Sequence, residues 1–315
     1  MSELIATRKA FGDELVAIGK ERDDFVVMDA DIAKSCSTDY FHKTFPERSY
    51  NFGIAEQNLM GIAAGYASTG TSVFAATYSV FASMRACEQI RTFIAYPKLN
   101  VRIIASHAGL QVGPDGATHQ AIEDIGIMRT IPNMTIIQPA DATAAKKAAR
   151  AVMDYDGPVF IRVLRNPSPI LFDDSYEFVI GKAVELANYG NDLTIMATGA
   201  MVIKALQAAS SLVNEGIKVR VVEVHTLKPI DYEAIIKAAK ETGGIITVED
   251  HNIIGGLGSA VAEVLAENCP TLLKRIGIQD KFGESGDSEE LYDCYGMNTN
   301  DIIKAAKELK EKISI

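Results

Sequence analysis

Unbroken apolar runs alternate with amphipathic segments along nearly the whole chain. FVVMDAD, TSVFAAT, VRIIAS, MTIIQP and PVFIRV put apolar side chains on both faces, the pattern of parallel strands covered from above and below. Between them, segments such as Arg8 to Arg22 and Asp141 to Met153 return an apolar residue every three or four positions, as helices do. The alternation predicts a doubly wound α/β domain ending near Arg165. NPSPILFDDSYEFVIGKAVEL follows, with two prolines and an acidic patch, and reads as a linker leading into an edge strand. A second alternation then runs through DLTIMAT, a helix from Met201 to Asn214, KVRVVEV, a helix after Pro229, GGIITVED, a helix through SAVAEVLAEN, LLKRIGI and a last helix from Thr299 to Lys312. The expected organisation is a first α/β domain over residues 1–170, a linker over 171–190 and a smaller α/β domain over 191–315.

The stretch from Gln57 to Met84 carries no charge and could pass for a membrane span. GYASTGTS breaks it with Ser, Thr and Gly, so it reads as helix, turn and strand packed inside protein. Composition agrees with two domains: 315 residues, 48% of them hydrophobic, fill two cores of ordinary size. The net charge of −10 argues against nucleic acid or an anionic membrane as partner, since both reward clustered Lys and Arg. Four cysteines without a CxxC pair signal neither a zinc site nor a disulfide framework. With acidic residues in MSELIATRKAFGDEL and no secretory signal there, the expected compartment is the cytoplasm.

In open parallel sheets, ligands sit where strands end at their carboxyl side. Polar clusters fall there in the first domain: Asp29 to Ser35, Thr77 to Ser79, and SHAGLQVGPDGATHQ, which gathers His107, Asp115 and His119 around three glycines and a proline. Glu56, in NFGIAEQN, opens an uncharged helix. It reads either as a partner of the helix dipole or as a buried acid that keeps and donates a proton. Tyr78 and Phe81, in TYSVF, stand at a strand-to-helix junction, as core aromatics or as a surface for a flat heteroaromatic ring. Metal ligation by His107, Asp115 and His119 matches no common zinc spacing, and a Ser-His-Asp hydrolase would need a GxSxG elbow that is absent.

Together, GIAEQ, TYSVF and GPDGATHQ resemble the pyrimidine-binding domain of transketolase and its thiamin diphosphate relatives, and HTLKPID with VEDHNIIGGLGSAVAEVL resembles the family's C-terminal domain. The resemblance covers essentially the entire chain. It implies that Glu56 holds a proton on the aminopyrimidine ring of the coenzyme, that Phe81 stacks on that ring beside Tyr78, and that Asp31 lies near the coenzyme. It also implies that His107 and His119 are active-site histidines, that Asp115 reads a substrate hydroxyl, and that Arg8, Ser35, His107 and Arg165 receive the phosphate of a sugar. Met84 stands where transketolases often carry a second ring-packing aromatic. His225 and His251 keep structural or interface roles, and GGLG from Gly255 to Gly258 is not a dinucleotide loop.

One half of the coenzyme site has no counterpart here. The family holds the diphosphate through a divalent metal and a GDG motif followed by Asn, and GDG occurs nowhere in the chain. The resemblance therefore implies the C-terminal subunit of a split transketolase. An N-terminal-type partner subunit would bring the diphosphate site and its Mg2+, no metal being held by this chain, and this chain would self-associate into a dimer within an α2β2 assembly. The implied reaction moves a two-carbon ketol unit from a ketose phosphate to an aldose phosphate through a thiamin diphosphate adduct. Three alternatives remain: the β-type subunit of a 2-oxo-acid dehydrogenase, which uses no sugar-phosphate clamp; a deoxyxylulose-phosphate-synthase-like enzyme, which differs at the position of His107; and a non-catalytic transketolase-like assembly module.

Overall fold

The computed structural model describes residues 4–313. The first part of the chain runs β1 (Leu4–Ile5), α1 (Thr7–Glu21), β2 (Phe25–Asp29), α2 (Ala33–Cys36), α3 (Asp39–Thr44), β3 (Ser49–Asn51), α4 (Glu56–Ser68) and β4 (Ser72–Tyr78). Two π-helical segments, Phe81–Arg85 and Ile90–Ala95, flank the single turn α5 (Cys87–Gln89). Then come β5 (Val101–Ser106), α6 (Asp124–Thr130), β6 (Thr135–Ile137), α7 (Ala142–Met153), β7 (Val159–Val163) and β8 (Ser168–Pro169). The remainder comprises β9 (Val184–Asn188), β10 (Leu193–Ala197), α8 (Met201–Asn214), β11 (Val219–Glu223), β12 (Thr226–Lys228), α9 (Tyr232–Glu241), β13 (Gly244–Asn252), α10 (Leu257–Asn268), β14 (Leu272–Ile278), α11 (Ser288–Cys294) and α12 (Thr299–Ile313).

The apolar runs become central strands because both of their faces are covered: every residue of β2, β5, β7, β10 and β11 is buried. The first sheet has the order β12-β6-β7-β5-β4-β2-β3 and the second β14-β13-β10-β11-β9. Within these two sheets pairing is parallel except at β12 and β9, each an antiparallel edge strand. One face of the first sheet is closed by an aromatic group in which Phe74 meets Phe25 at 5.5 Å and Phe11 at 6.2 Å, edge to face. Among the described residues no helix is long and apolar enough to cross a membrane, and the uncharged run from Gln57 divides into α4 and β4.

Three features have no counterpart in the apolar pattern. The edge strand β3 is three residues long, and π-helical turns replace the α-helix expected after β4. The third is β12: it follows β11 of the second sheet, yet pairs with β6 of the first, Thr226 opposite Ile137 and Lys228 opposite Ile136. Lys228 fixes this crossing by donating to the carbonyls of Arg129 at 2.8 Å and Ile131 at 2.6 Å.

Candidate active site

The carboxyl ends of β2, β4, β5 and β7 deliver most of the expected residues to one edge of the first sheet. Tyr78 closes β4, and its ring lies 4.3 Å from that of His107 and 6.1 Å from that of Phe81. His119 meets Phe81 edge-on at 5.3 Å and Tyr78 at 6.0 Å. His119 is turned by Thr118, whose hydroxyl lies 2.9 Å from Nδ1. These four rings form one wall.

His107 sits just past β5 with φ of 60°, in the left-handed region that few residues other than glycine adopt. Such backbone persists only where the surroundings enforce it, and functional sites are where it collects. Its ring is buried, with Nδ1 2.8 Å from the Ser106 hydroxyl. Burial, reinforced by the positive charges of Arg8 and Arg165, depresses its pKa to about 3. In the free chain His107 is therefore a neutral hydrogen-bonding group rather than a cation.

Beside it lies a basic corner. Arg8, in the first turn of α1, donates to the carbonyl of Arg165 at 3.0 Å and to that of Ser35 at 2.6 Å. Both acceptors are neutral, and burial together with the repulsion from Arg165 lowers the Arg8 pKa. Arg165 donates to the Val112 carbonyl and stands 3.5 Å from the Asp115 carboxylate. Arg165 thus has one exposed carboxylate beside it while Arg8 donates to neutral carbonyls, an arrangement that favours a further anion. Asp31, also at positive φ, is held apart by Asn51, whose amide donates to it at 2.8 Å.

Glu56 is 2% exposed at the start of α4. The apolar neighbourhood expected for it is incomplete: Arg85 donates to its Oε2 at 2.8 Å. The same guanidinium lies over the Phe81 ring, 4.3 Å from its centroid. Glu56 and Phe81 therefore both contact one planar group, which donates to the acid and lies over the ring. An aminopyrimidine ring offers the same two contacts, so the pair fits that end of thiamin diphosphate. Met84 is 49% exposed.

Behind the wall, a buried charge network joins the two sheets. Arg162 of β7 donates to Asp124 at 2.7 Å and to the carbonyls of Ala121 and Asp250 at 2.9 Å. Asp124 also accepts from the Ser79 hydroxyl at 2.6 Å. Burial alone would raise its pKa, but the Arg162 charge, with hydrogen bonds from Arg162 and Ser79, outweighs that cost and lowers it. From the second sheet, the Asp250 carboxylate accepts from the backbone of Leu110 at 2.8 Å, the backbone of Gln111 at 3.4 Å and the Tyr292 hydroxyl at 2.8 Å. A Cβ on Gly109, whose φ is +71°, would fall 2.2 Å from that carboxylate, so only glycine fits there. Asp250 thus pins the segment between His107 and Asp115. Sequence reading passes over this network because its members are 38 to 140 residues apart, although an arginine inside the apolar run VFIRV is a local sign of a buried partner.

The remaining polar motifs are structural. His225 packs on Phe178 at 4.0 Å. His251 donates from Nδ1 to the Asn252 carbonyl at 2.6 Å and accepts at Nε2 from the Gly126 backbone at 3.3 Å. The GGLG run opens α10 around the buried Glu249 carboxylate, which accepts from Leu257 at 2.6 Å and Gly258 at 2.8 Å. Among the described residues no group of three or more His, Cys, Asp or Glu could hold a metal ion. A cavity of about 400 Å3 along β14, lined by residues such as Arg275, Tyr295 and Lys304, includes none of the wall or corner residues.

Comparison with known proteins identifies the family. The family model for the transketolase pyrimidine-binding domain matches residues 3–169, and that for the transketolase C-terminal domain matches residues 181–302. The chain belongs to the transketolase family. A transketolase subunit for 6-deoxy-6-sulfo-D-fructose from Clostridium sp. is 41% identical, over 97% of this chain and 94% of the relative. One of the subunits of an apulose-4-phosphate transketolase from Phocaeicola vulgatus is 41% identical over 99% of both chains. A solved structure described as a split-gene transketolase, inactive β4 tetramer, superposes with a TM-score of 0.91 at 47% identity, covering 98% of this chain and 99% of its own. The chain is thus a transketolase-type split subunit, a member of a thiamin-diphosphate-dependent family, with a pyrimidine-binding domain followed by a C-terminal one.

Proposed function

We propose that this chain is the pyrimidine- and sugar-binding subunit of a two-chain transketolase that moves a two-carbon ketol unit between sugar phosphates. The observation that carries the reading is the juxtaposition of Glu56 and Phe81 around a flat cation, next to a wall of histidines and a corner of arginines. When bound, thiamin diphosphate would supply the carbanion chemistry. Glu56 would hold a proton at the aminopyrimidine nitrogen, and Phe81, backed by Tyr78, would fix the plane of that ring. His119 would donate to the sugar carbonyl where negative charge develops, and Asp115 would take a hydroxyl of the sugar. Arg8, Arg165, Ser35 and the neutral His107 would receive an anionic sugar terminus, through paired guanidinium bonds and an imidazole N–H. Asp31 would stand at the coenzyme side of the site.

The diphosphate end and its Mg2+ would be held by an N-terminal-type partner, since the GDG motif is missing from this sequence. The inactive β4 state described for the split-gene relative supports such dependence, and the word subunit in the relatives' names supports a second chain. Exposed Ile54, Met84, Phe93 and Tyr96, on and around the packed helices α4 and 81–95, offer an apolar face for self-association within an α2β2 assembly. The two curated relatives are named for different sugars, so the donor is to be found by assay. The test is to combine the chain with an N-terminal-type partner, thiamin diphosphate and Mg2+, and offer xylulose 5-phosphate, a sulfofructose and an apulose phosphate as donors. Ketol transfer in the mixture and none from either chain alone supports the reading. Transfer by this chain alone removes the division of labour, and decarboxylation of a 2-oxo acid would replace the reaction.

A further inference from the structure

The contacts of Arg85 exceed what a surface arginine needs. Its side chain is 47% exposed, yet its Nη1 has gone to a carboxylate that is 2% exposed, 29 residues back in sequence. Its guanidinium also lies over Phe81, 4.3 Å from the ring centroid. Tyr78, stacked at 6.1 Å, and His119, edge-on at 5.3 Å, approach the same ring, so Phe81 is held by its neighbours while Arg85 lies over it. The backbone serves this reach: Phe81 and Arg85 are the two ends of a π-helical turn, and side chains on helices lean back toward the N-terminus. Single π turns of this kind gather at functional sites.

We propose that Arg85 is a latch that fills the pyrimidine place while the coenzyme is away, and that loading requires its expulsion. This rests on the reading that Glu56 and Phe81 hold the pyrimidine. A ring bonded to the Glu56 carboxylate and stacked on the face of Phe81 that Arg85 covers claims the volume of the guanidinium, and the two cannot coexist. The latch satisfies a buried carboxylate that would otherwise face solvent alone, and it covers an aromatic face. Both contacts are lost when the pyrimidine enters, so coenzyme affinity is lower than the finished site would give. A half-exposed ion pair and a cation–π contact of ordinary strength together correspond to about three- to thirtyfold in affinity.

The test titrates the complex of this chain and its N-terminal-type partner with thiamin diphosphate and Mg2+ by calorimetry, comparing wild type with Arg85→Met and Arg85→Lys. Arg85→Met keeps an apolar stem and has no cation, and should lower the dissociation constant by about three- to thirtyfold while binding faster. Arg85→Lys keeps charge without a planar face and should fall between. The ratio of wild-type to Met constants should shrink as salt rises, because the pair being broken is partly exposed; a purely structural role would leave the ratio flat. Unchanged or weaker binding by Arg85→Met, with wild type binding normally, overturns the latch and leaves the proposed function standing. No binding of thiamin diphosphate by the wild-type pair overturns both. Circular dichroism of each variant checks that its fold is kept, and should Arg85→Met misfold, Arg85→Lys alone decides by the same ratio.

Discussion

Glu56 and His107 are both nearly inaccessible side chains at strand or helix ends, and their partners set their chemistry. Glu56 has one strong hydrogen-bond donor, Arg85, and Glu56→Gln keeps its size while removing the acid. In the reconstituted pair this change should cut ketol transfer by about a hundredfold or more, with thiamin diphosphate affinity changed far less. Calorimetry beside a transfer assay separates the two, and unchanged turnover would end the assigned role. His107, with its pKa pushed to about 3, is neutral, and in the proposed site it would donate an N–H. His107→Gln, which keeps an N–H, should lose about three- to tenfold less kcat/KM than His107→Leu; equal losses would show that imidazole shape, not donation, matters. These residues were legible because each stands inside a distinctive run, GIAEQ or SHAGL. Arg85 was not, since a single charge in MRACEQIR reads as the solvated face of a helix. Only the fold shows it turned inward.

At the scale of elements, apolar continuity sufficed for the long strands and apolar spacing for the long helices. α8 spans Met201–Asn214 and α7 starts right after Asp141, where the pattern places them. Asp141 earned its position by accepting from Ala144 at 2.7 Å, and it also accepts from the backbones of Leu171 and Phe172, tying the linker to α7. Asp141→Ala should cost about 1–2 kcal/mol through the cap alone and more through the linker, read as a shift in denaturant midpoint. The short strands β3 and β12 and the π turns escaped because none of them impresses a clear period on the sequence. The Asp250 clamp escaped for another reason: it is a contact between two sheets. Asp250→Ala strands the Leu110 and Gln111 amides and the Tyr292 hydroxyl, so it should destabilise by about 1–3 kcal/mol. It should also raise KM for the sugar more than it lowers kcat, because it loosens the wall rather than touching the substrate.

Across the whole molecule, buried titratable groups set opposing pH trends. His107, His225 and His251 have pKa values pushed down to about 3, 4 and 4 by burial. The unfolded chain therefore binds more protons than the native one below the ordinary histidine value, and stability is lost as pH falls from about 6.5. Burial raises Glu223 to about 8 and Glu249 to about 7. There the native state holds the extra protons, and stability is lost as pH rises from about 4.5 through those values. The two trends oppose each other between about pH 4.5 and 6.5, so the thermal midpoint should peak in slightly acid to neutral solution and decline on both sides. Glu223→Gln should flatten the alkaline decline specifically, and a midpoint that kept climbing to pH 9 would refute the assignment.

The crossing of β12 also says where this polypeptide can be cut. A fragment ending near residue 170 would keep every strand of its sheet but one, and would present the bare edge of Thr135–Ile137, two of its three side chains isoleucine, to any neighbour able to dock there. Such a fragment should clump on the bench while the full chain stays dispersed. The two regions matched by separate family models are thus not separable goods: the second supplies the selvedge that keeps the first from unravelling into aggregates.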